Sequence, residues 1–228
     1  MCSQQAKQVL DNTGDVRDLL QDTSKPTATI VAPSFPAEFV ECDAKAMVAM
    51  LRSLGFDYVN EVAFGADLVA REYKRLLNKT QENRYIATSC PGIIAFVERF
   101  YPEWVPYLAP IVSPMVATAR ALHHIHGKDL SVVFIGPCIA KKGEARSPGV
   151  GNEIQATLTF GEIRDILAEA EITPETVQPS AFDEPRPGLG ALFPISRGLL
   201  QAADIEEDLL TDQVVATAGR TNFVQAIR

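Results

Sequence analysis

The stretch of sequence that decides the fold is LSVVFIGPCIAKKGE, residues 130–144. It begins with an apolar run rich in β-branched side chains and continues, through Gly136 and Pro137, into Cys138 and a polar segment. A continuous apolar run that is bounded by turn residues is typical of a strand buried on both faces, as in a parallel sheet. We therefore predict a strand here, with Cys138 in the loop that follows it.

A second stretch has the same design. RYIATSCPG, residues 84–92, reads as a short strand that ends at Cys90 and Pro91. Because ligands bind at the carboxyl ends of parallel strands, Cys90 and Cys138 are expected to converge there. Pairs of thiolates suit soft metals and above all iron–sulfur clusters, which take four cysteine ligands. The alternative, buried and reduced thiols without a metal, stays open on spacing alone.

Strands and helices alternate along the rest of the chain. Residues 27–35 and 56–64 read as strands, and residues 130–138 form the strand described above. Helical periodicity covers residues 6–21, 44–54, 67–78, 93–100, 115–126 and 160–171, and polar loops cover residues 141–153 and 173–190. Such alternation indicates βαβ units. We predict an α/β fold of two lobes, 1–110 and 111–228, whose parallel sheets are flanked by helices, with a site at the strand ends between the lobes.

Composition narrows the range of partners. The chain has 228 residues, with 21 Lys+Arg against 29 Asp+Glu and a formal net charge of −8. An acidic chain without a basic stripe argues against nucleic-acid binding. The sequence contains neither an apolar run long enough for a membrane span nor a signal peptide. We expect a cytoplasmic protein whose four cysteines, Cys2, Cys42, Cys90 and Cys138, form no disulfide framework.

Several motifs together resemble one family. They are TSCPG followed by FVERFYPEW, VSPM, FIGPCIAKKGE, APSFPAEF, LRSLGFDYVNEVAFGADL, ATLTFGEIRDIL and GALFPISRGLLQAA. In this order they are similar to the C-terminal domain of the [FeFe]-hydrogenase large subunit, and nearly the whole chain is covered. The resemblance implies the H-cluster, a [4Fe-4S] cluster joined through a cysteine to a diiron centre that carries CO and cyanide.

The resemblance also implies roles for particular residues. Cys90 and Cys138 match two of the four thiolate ligands of the [4Fe-4S] cluster. The other two belong to a later loop, so we expect the chain to stop, at Arg228, before the last cysteine loop. Residues 1–7 resemble the tail of an upstream ferredoxin-like module, in which Cys2 would ligate a further [4Fe-4S] cluster.

Two charged residues after Cys138 also match the family. Lys141 matches the lysine that contacts a diatomic ligand of the diiron centre, and Glu144 matches a carboxylate of the outer proton path. These two are the candidate catalytic residues. The alternative is that Lys141 and Lys142 are a solvated pair in a loop and that Glu144 is exposed.

Four departures from the family concern proton transfer and the cluster pocket. Active members have two adjacent cysteines where this chain has Cys90 alone. A relay serine corresponds to Ala109, a relay carboxylate to about Leu76, and a methionine of the second loop to Gly136. A proton relay needs groups that exchange protons, and methyl groups do not.

We therefore predict a sensory or regulatory relative that binds a [4Fe-4S] cluster, or the full H-cluster, with weak or no turnover. The alternatives are an active iron hydrogenase that uses ferredoxin and a non-catalytic relative that binds only the [4Fe-4S] cluster. Expected partners are a ferredoxin-like module or ferredoxin, a PAS or kinase-type signalling module, and the hydrogenase maturation proteins. The histidines His123, His124 and His126 are expected at a solvated helix end, and Cys42 as a free thiol.

Overall fold

The computed structural model describes residues 9–79, 84–206 and 215–216. The chain forms two compact units, each built from two separate parts of the sequence. The first unit takes the residues up to Asn60 together with Leu122–Glu184. The second takes Glu61–Ala121 together with the residues from Pro185 onward.

Most of the regular structure is helical. The α-helices are α1 (Thr13–Gln21), α2 (Phe35–Glu38), α3 (Ala44–Ser53), α4 (Val62–Lys79), α5 (Pro91–Phe100), α6 (Pro114–His126), α7 (Ala140–Ala145), α8 (Phe160–Glu169) and α9 (Gly198–Ala203). Short 3₁₀ segments lie at Pro102–Tyr107 and Leu189–Leu192. The strands are β1 (Thr27–Val31), β2 (Tyr58–Glu61), β3 (Ser131–Gly136) and β4 (Ala156–Thr159). Within the described ranges, none of the helices is both long and apolar enough to cross a membrane.

The strands form one sheet in the order β2-β1-β3-β4. β1 and β3 are parallel, with Thr27 opposite Ser131 and Val31 opposite Ile135. β3 and β4 are also parallel, and their pairing ends with Gly136 opposite Thr159. Every residue of β1 and β3 is buried, as expected for central strands covered on both faces. The predicted α/β fold with a parallel sheet is confirmed.

The sheet explains why the two units are not the predicted lobes 1–110 and 111–228. β1 comes from the first part of the chain and pairs with β3 from the second part. Strands that share a ladder must share a core, so residues on both sides of position 110 belong to the first unit. The predicted boundary at consecutive residues is therefore replaced by an interleaved division.

Residues 56–64 do not form a single strand as predicted. β2 ends at Glu61, and Val62 begins α4 directly. The reason lies in packing: a Cβ at Gly65 would be 2.2 Å from both the Pro114 carbonyl oxygen and the Thr118 hydroxyl. α4 and α6 therefore approach closely at Gly65, and this contact favours the helix over the local β propensity.

Other short elements also differ from the sequence prediction. The predicted strand 84–92 is reduced to a single bridge between Ile86 and Leu108. The predicted polar loop after Cys138 contains α7, and the strand β4 was not predicted. Thr159 does begin the next helix: its side chain accepts the N–H of Glu162, whose own side chain completes a capping box.

Residues 173–184 of the predicted loop 173–190 belong to the first unit and are held there through Asp183. The Asp183 carboxylate accepts the Val59 N–H at 2.8 Å and pairs with Arg52 at 2.7 Å. Arg52 also donates to the Ser180 hydroxyl at 3.0 Å. This ion pair holds the loop against β2 and α3.

Candidate functional site

Cys90 lies at the N-cap of α5 in the second unit. Its backbone is extended, with φ −107° and ψ 110°, and its thiol is free and exposed. The carbonyl of Cys90 accepts the N–H groups of Ile93 and Ile94 at 3.1 and 3.3 Å. A Cβ at Gly92 would be 3.6 Å from the sulfur, so the thiol lies beside the first turn of the helix. The amino end of a helix favours negative charge, which suits a thiolate or an anionic cluster.

A buried hydrogen-bond network holds the segment before Cys90. The Thr88 N–H donates to the Tyr73 hydroxyl at 2.8 Å. The Thr88 hydroxyl donates to the carbonyls of Ala109 at 3.0 Å and Ile111 at 2.7 Å. Tyr73 and Thr88 are 6% and 5% exposed. The network ties the Cys90 segment to α4 and to residues 109–111 of the same unit.

Cys138 lies in the first unit, two residues after the end of β3, and its free thiol is half-buried. The carbonyl of Cys138 accepts the Lys141 N–H at 3.2 Å, which begins the turn of α7. The strand therefore ends before Cys138 as predicted, but a helix follows instead of a loop.

Lys141 and Glu144 are brought together on α7. Their ion pair has an N···O distance of 2.7 Å, and the two side chains are 13% and 11% exposed. The spacing of three residues places them on one face of the helix. Neither residue is solvated, so the alternative of an exposed loop is wrong for both. Their catalytic roles stay predictions.

Lys142 is a residue whose environment the sequence did not reveal. Its side chain is 4% exposed, and its ammonium donates to the Glu162 carboxylate at 2.7 Å, the Thr157 carbonyl at 2.9 Å and the Asn12 side-chain oxygen at 3.4 Å. Burial alone would raise the pKa of Glu162, but the hydrogen bonds from Lys142 and Thr159 outweigh it and hold this pKa below its usual value. The alternative of a solvated Lys142 is therefore also wrong. The Thr159–Glu162 spacing indicates the start of α8 but does not indicate that Lys142 is buried.

The expected relay positions of the second unit lie in an apolar cluster. Ala109 is 4% exposed and packs with Val69, Tyr73 and Ala117, and Leu76 packs against this group. These side chains surround positions 76 and 109 with aliphatic and aromatic carbons. Neither Ala109 nor Leu76 can pass on a proton.

The glycine that replaces the expected methionine leaves no room for a side chain. A Cβ at Gly136 would be 2.5 Å from the Phe134 ring and 3.0 Å from the Ala32 methyl group. The ring of Phe134 therefore occupies the space beside Gly136. A methionine at this position would require the surrounding core to rearrange.

The remaining metal candidates do not form a further site. Cys2 lies outside the described residues. The Cys42 thiol is half-buried, and burial and then the neighbouring charges of Glu41 and Asp43 raise its pKa, which disfavours the metal-binding thiolate. His123 contacts the Glu153 carbonyl at 2.9 Å, and His126 stacks on Tyr58 at 4.0 Å. In the part of the chain that the structure describes, no three His, Cys, Asp or Glu side chains are placed to share a metal ion.

The donors present fit part of the ligand set of an iron–sulfur cluster. Cys90 and Cys138 are free thiols, one at the start of α5 and the other after the end of β3. Thiolate sulfur is the preferred ligand of such clusters. Cys90 adds a helix amino end, where backbone N–H groups can stabilise cluster charge. Each thiol is of the type that such a cluster binds, and the roles of Cys90 and Cys138 as two of its four ligands stay predictions.

Comparison with known proteins agrees with this chemistry. Residues 25–226 match the family model described as "Iron only hydrogenase large subunit, C-terminal domain". The chain is 29% identical to iron hydrogenase 1 of Clostridium pasteurianum over 215 residues, which cover 82% of this chain and 37% of that protein. It is 27% identical to the cytosolic Fe-S cluster assembly factor NAR1 of Yarrowia lipolytica, with 71% of this chain and 36% of that protein covered.

Solved structures agree as well. The hydrogenase HydA(deltaEFG), whose structure revealed stepwise H-cluster assembly, matches with a TM-score of 0.69 and 28% identity, covering 77% of this chain and 51% of that chain. A variant of [FeFe]-hydrogenase HydA1 from Chlamydomonas reinhardtii matches with a TM-score of 0.71 and 26% identity, covering 85% and 57%. The chain thus spans between 36% and 57% of the length of these relatives. As a divergent member, it belongs to the family formed by the C-terminal domain of the iron-only hydrogenase large subunit.

Proposed function

We propose that this chain is the iron–sulfur domain of a sensor of hydrogen or redox state, with weak or no turnover. Cys90 and Cys138 supply two thiolates to a [4Fe-4S] cluster, and the family membership of the chain supports this assignment. The observation that carries the choice of sensor over enzyme is the packed apolar cluster around Ala109 and Leu76.

The apolar cluster argues against fast proton delivery. Tyr73 packs in the same cluster, and its hydroxyl is engaged with Thr88. Thr88 in turn donates its hydroxyl proton to main-chain carbonyls, which do not carry protons onward. Slow turnover suits a sensor, because a sensor needs a change of state on binding its ligand rather than a flux.

The single cysteine at position 90 supports the same conclusion. This chain has one cysteine before Pro91, so the adjacent thiol that would deliver protons in active members is deleted. Cys90 itself is assigned to the cluster and so is not free to serve as the proton donor.

Lys141 supports the full H-cluster over a bare [4Fe-4S] cluster. A diiron centre, when bound, supplies the metal site at which hydrogen is activated. The ammonium of Lys141 is a hydrogen-bond donor suited to a cyanide nitrogen. Its pairing with Glu144 at 2.7 Å keeps the charge of Lys141 compensated.

The second candidate is a non-catalytic protein that binds only the [4Fe-4S] cluster. The specific observation in its favour is the similarity to the assembly factor NAR1, at 27% identity over 178 residues. In that case Lys141 would have no diatomic ligand to contact. An active hydrogenase that uses ferredoxin is the third candidate, and it requires a proton path other than the one through Ala109.

Infrared spectroscopy separates these candidates. The protein would be expressed anaerobically from its complete gene, together with the hydrogenase maturation proteins. Bands in the CO and cyanide region that shift under hydrogen, with slow turnover, are expected for the sensor. The same bands with fast turnover would favour the enzyme, and bound iron and sulfide without bands would favour the cluster-only protein.

Cysteine variants test the ligand assignment. Cys90→Ser and Cys138→Ser should each lower bound iron and sulfide, because a [4Fe-4S] cluster needs four thiolates. Cys42→Ser is the matched control and should retain both, since Cys42 is a half-buried thiol with a raised pKa. Iron retention in Cys90→Ser and Cys138→Ser equal to that of Cys42→Ser would overturn the proposal.

Partners follow from the sensor assignment. A ferredoxin-like module or ferredoxin would exchange electrons with the cluster, and a PAS or kinase-type module would receive the signal. Maturation proteins would be required for the diiron part alone. Iron binding without maturation proteins, followed by infrared bands when they are present, is the expected pattern.

A further inference from the structure

The ammonium of Lys142 connects α7 to three other parts of the first unit. It donates to Glu162 on α8, to the Thr157 carbonyl in β4, and to Asn12, the residue before α1. A lysine has three N–H protons, and each of them has an acceptor here. The contact is therefore a complete three-point attachment and not a single ion pair.

The acceptors are themselves held in place. The second oxygen of Glu162 accepts the Thr159 N–H at 2.6 Å and the Thr159 hydroxyl at 2.8 Å. The Asn12 amide donates to Asp15 at 2.6 Å, and Asn12 is 4% exposed. Because both acceptors are fixed by further hydrogen bonds, they define the position of the Lys142 ammonium.

α7 depends on such an attachment. It spans six residues, Ala140–Ala145, and a helix this short does not persist without tertiary contacts. Cys138 lies one helical turn before Lys142 and two residues after Gly136, which is paired with Thr159 in the sheet. The Cys138 segment is thus fixed at its start by β3 and at its end by Lys142.

We propose that Lys142 is a positioning residue for the Cys138 thiol: its buried attachment to Glu162, Thr157 and Asn12 sets the direction in which Cys138 presents its sulfur. The ligand role of that sulfur rests on the proposed function. The positioning itself is a property of the first unit and can be measured without iron. The ion-pair partner of the neighbouring Lys141 is Glu144, which lies on α7 itself.

A second ion pair in the same unit provides a matched control. Arg52 and Asp183 are 2.7 Å apart and 30% and 29% exposed. The hydrogen bonds of Arg52 go to residues 57, 180, 181 and 183, none of them in the Cys138 segment. Arg52→Met should therefore affect stability without affecting the Cys138 thiol.

The test follows alkylation of Cys138 by iodoacetamide in the full chain, with Cys2, Cys42 and Cys90 replaced by serine. We expect Lys142→Met to raise the alkylation rate of Cys138 by about tenfold. The reason is that the segment carrying Cys138 opens locally once Lys142 no longer holds it. Arg52→Met should stay within about twofold, since its attachment lies elsewhere. Urea unfolding of each variant separates local opening from loss of the whole fold.

A paired variant keeps the proposal testable if Lys142→Met alone does not fold. Lys142→Met with Glu162→Met removes both charges, and apolar replacement of a buried pair is often tolerated. We expect this variant to fold and still to show the changed alkylation rate, because the three-point attachment is lost. A folded paired variant with the unchanged rate would overturn the proposal.

The cluster-loaded protein gives an independent readout. If Cys138 is a ligand, the electron paramagnetic resonance signal of the reduced cluster should change in the paired variant and not in Arg52→Met. A signal absent from the unsubstituted chain as well would count against the proposed function. The alkylation result would still decide whether Lys142 positions Cys138.

Discussion

The Tyr73 hydroxyl is the group through which the Cys90 segment can be tested most directly. It accepts the Thr88 N–H at 2.8 Å and lies 3.2 Å from the Thr88 hydroxyl oxygen. Because the Thr88 hydroxyl proton is directed to the carbonyls of Ala109 and Ile111, Tyr73 is the donor in the second contact. A single hydroxyl therefore satisfies two buried polar groups of Thr88.

Tyr73→Phe removes this oxygen and keeps the ring in the apolar cluster. The Thr88 N–H then loses its acceptor, and a buried donor without a partner costs about 1–3 kcal/mol. Loss of the bond to the Thr88 hydroxyl adds about 1 kcal/mol. We expect the free energy of unfolding to fall by about 2–4 kcal/mol in total, the sum of these two contributions.

Urea unfolding at neutral pH, followed by circular dichroism, measures this change. Tyr107→Phe is the control, because the Tyr107 side chain is 48% exposed and should change stability by less than about 0.5 kcal/mol. Cys90 alkylation, measured in parallel in a chain without other thiols, should become faster in Tyr73→Phe only.

A double-mutant cycle with Thr88→Val isolates the contact between the two hydroxyls, because valine keeps the backbone N–H that donates to Tyr73. The coupling energy between positions 73 and 88 should be about 1 kcal/mol. A loss in Tyr73→Phe below about 0.5 kcal/mol, together with an unchanged Cys90 alkylation rate, would refute the reasoning, because a buried N–H left unpaired must cost more than that.

Three further predictions concern close packing and charge. Gly136→Met should lower stability by about 1–3 kcal/mol through overpacking, since a Cβ there would be 2.5 Å from the Phe134 ring; urea unfolding checks this, and a neutral result would contradict it. Gly65→Ala should lower the free energy of unfolding by at least as much, because the new Cβ would be 2.2 Å from the Pro114 carbonyl oxygen. Gly14→Ala is the control, because a Cβ there meets nothing within 4 Å. The pKa of Glu162 is lower in the folded protein than its unfolded value of about 4.5. The ionised Glu162 therefore contributes its full stabilisation above about pH 4.5, and this stabilisation is lost as the pH falls through the folded pKa. Glu162→Gln should flatten this part of the pH profile of urea unfolding.

Much of the fold and part of the site could be predicted from local sequence. The apolar run before Gly136 identified β3, and the cysteine after it was placed correctly at the end of a buried strand. The helical periodicity of residues 44–54 and 160–171 identified α3 and α8. These elements are predictable because burial of a continuous face or stripe leaves a periodic record in the sequence.

Elements with few residues were not predictable in the same way. β4 has four residues and α7 has six, which is too short for periodicity to distinguish a strand or helix from a loop. Both are stabilised by partners distant in sequence: β4 by its ladder with β3 and α7 by the contacts of Lys142.

The sequence by itself determined the α/β class, the position of Cys138 after a buried strand, and the apolar character of residues 76 and 109. Only the tertiary structure decided that residues on both sides of position 110 share a sheet, that Lys141 pairs with Glu144, and that Lys142 is buried. The physical reason is that side-chain chemistry and periodicity are local properties, whereas burial of a charge depends on which distant groups satisfy it. For Lys142, those groups are a helix cap, a strand carbonyl and an amide separated from it by up to 130 residues.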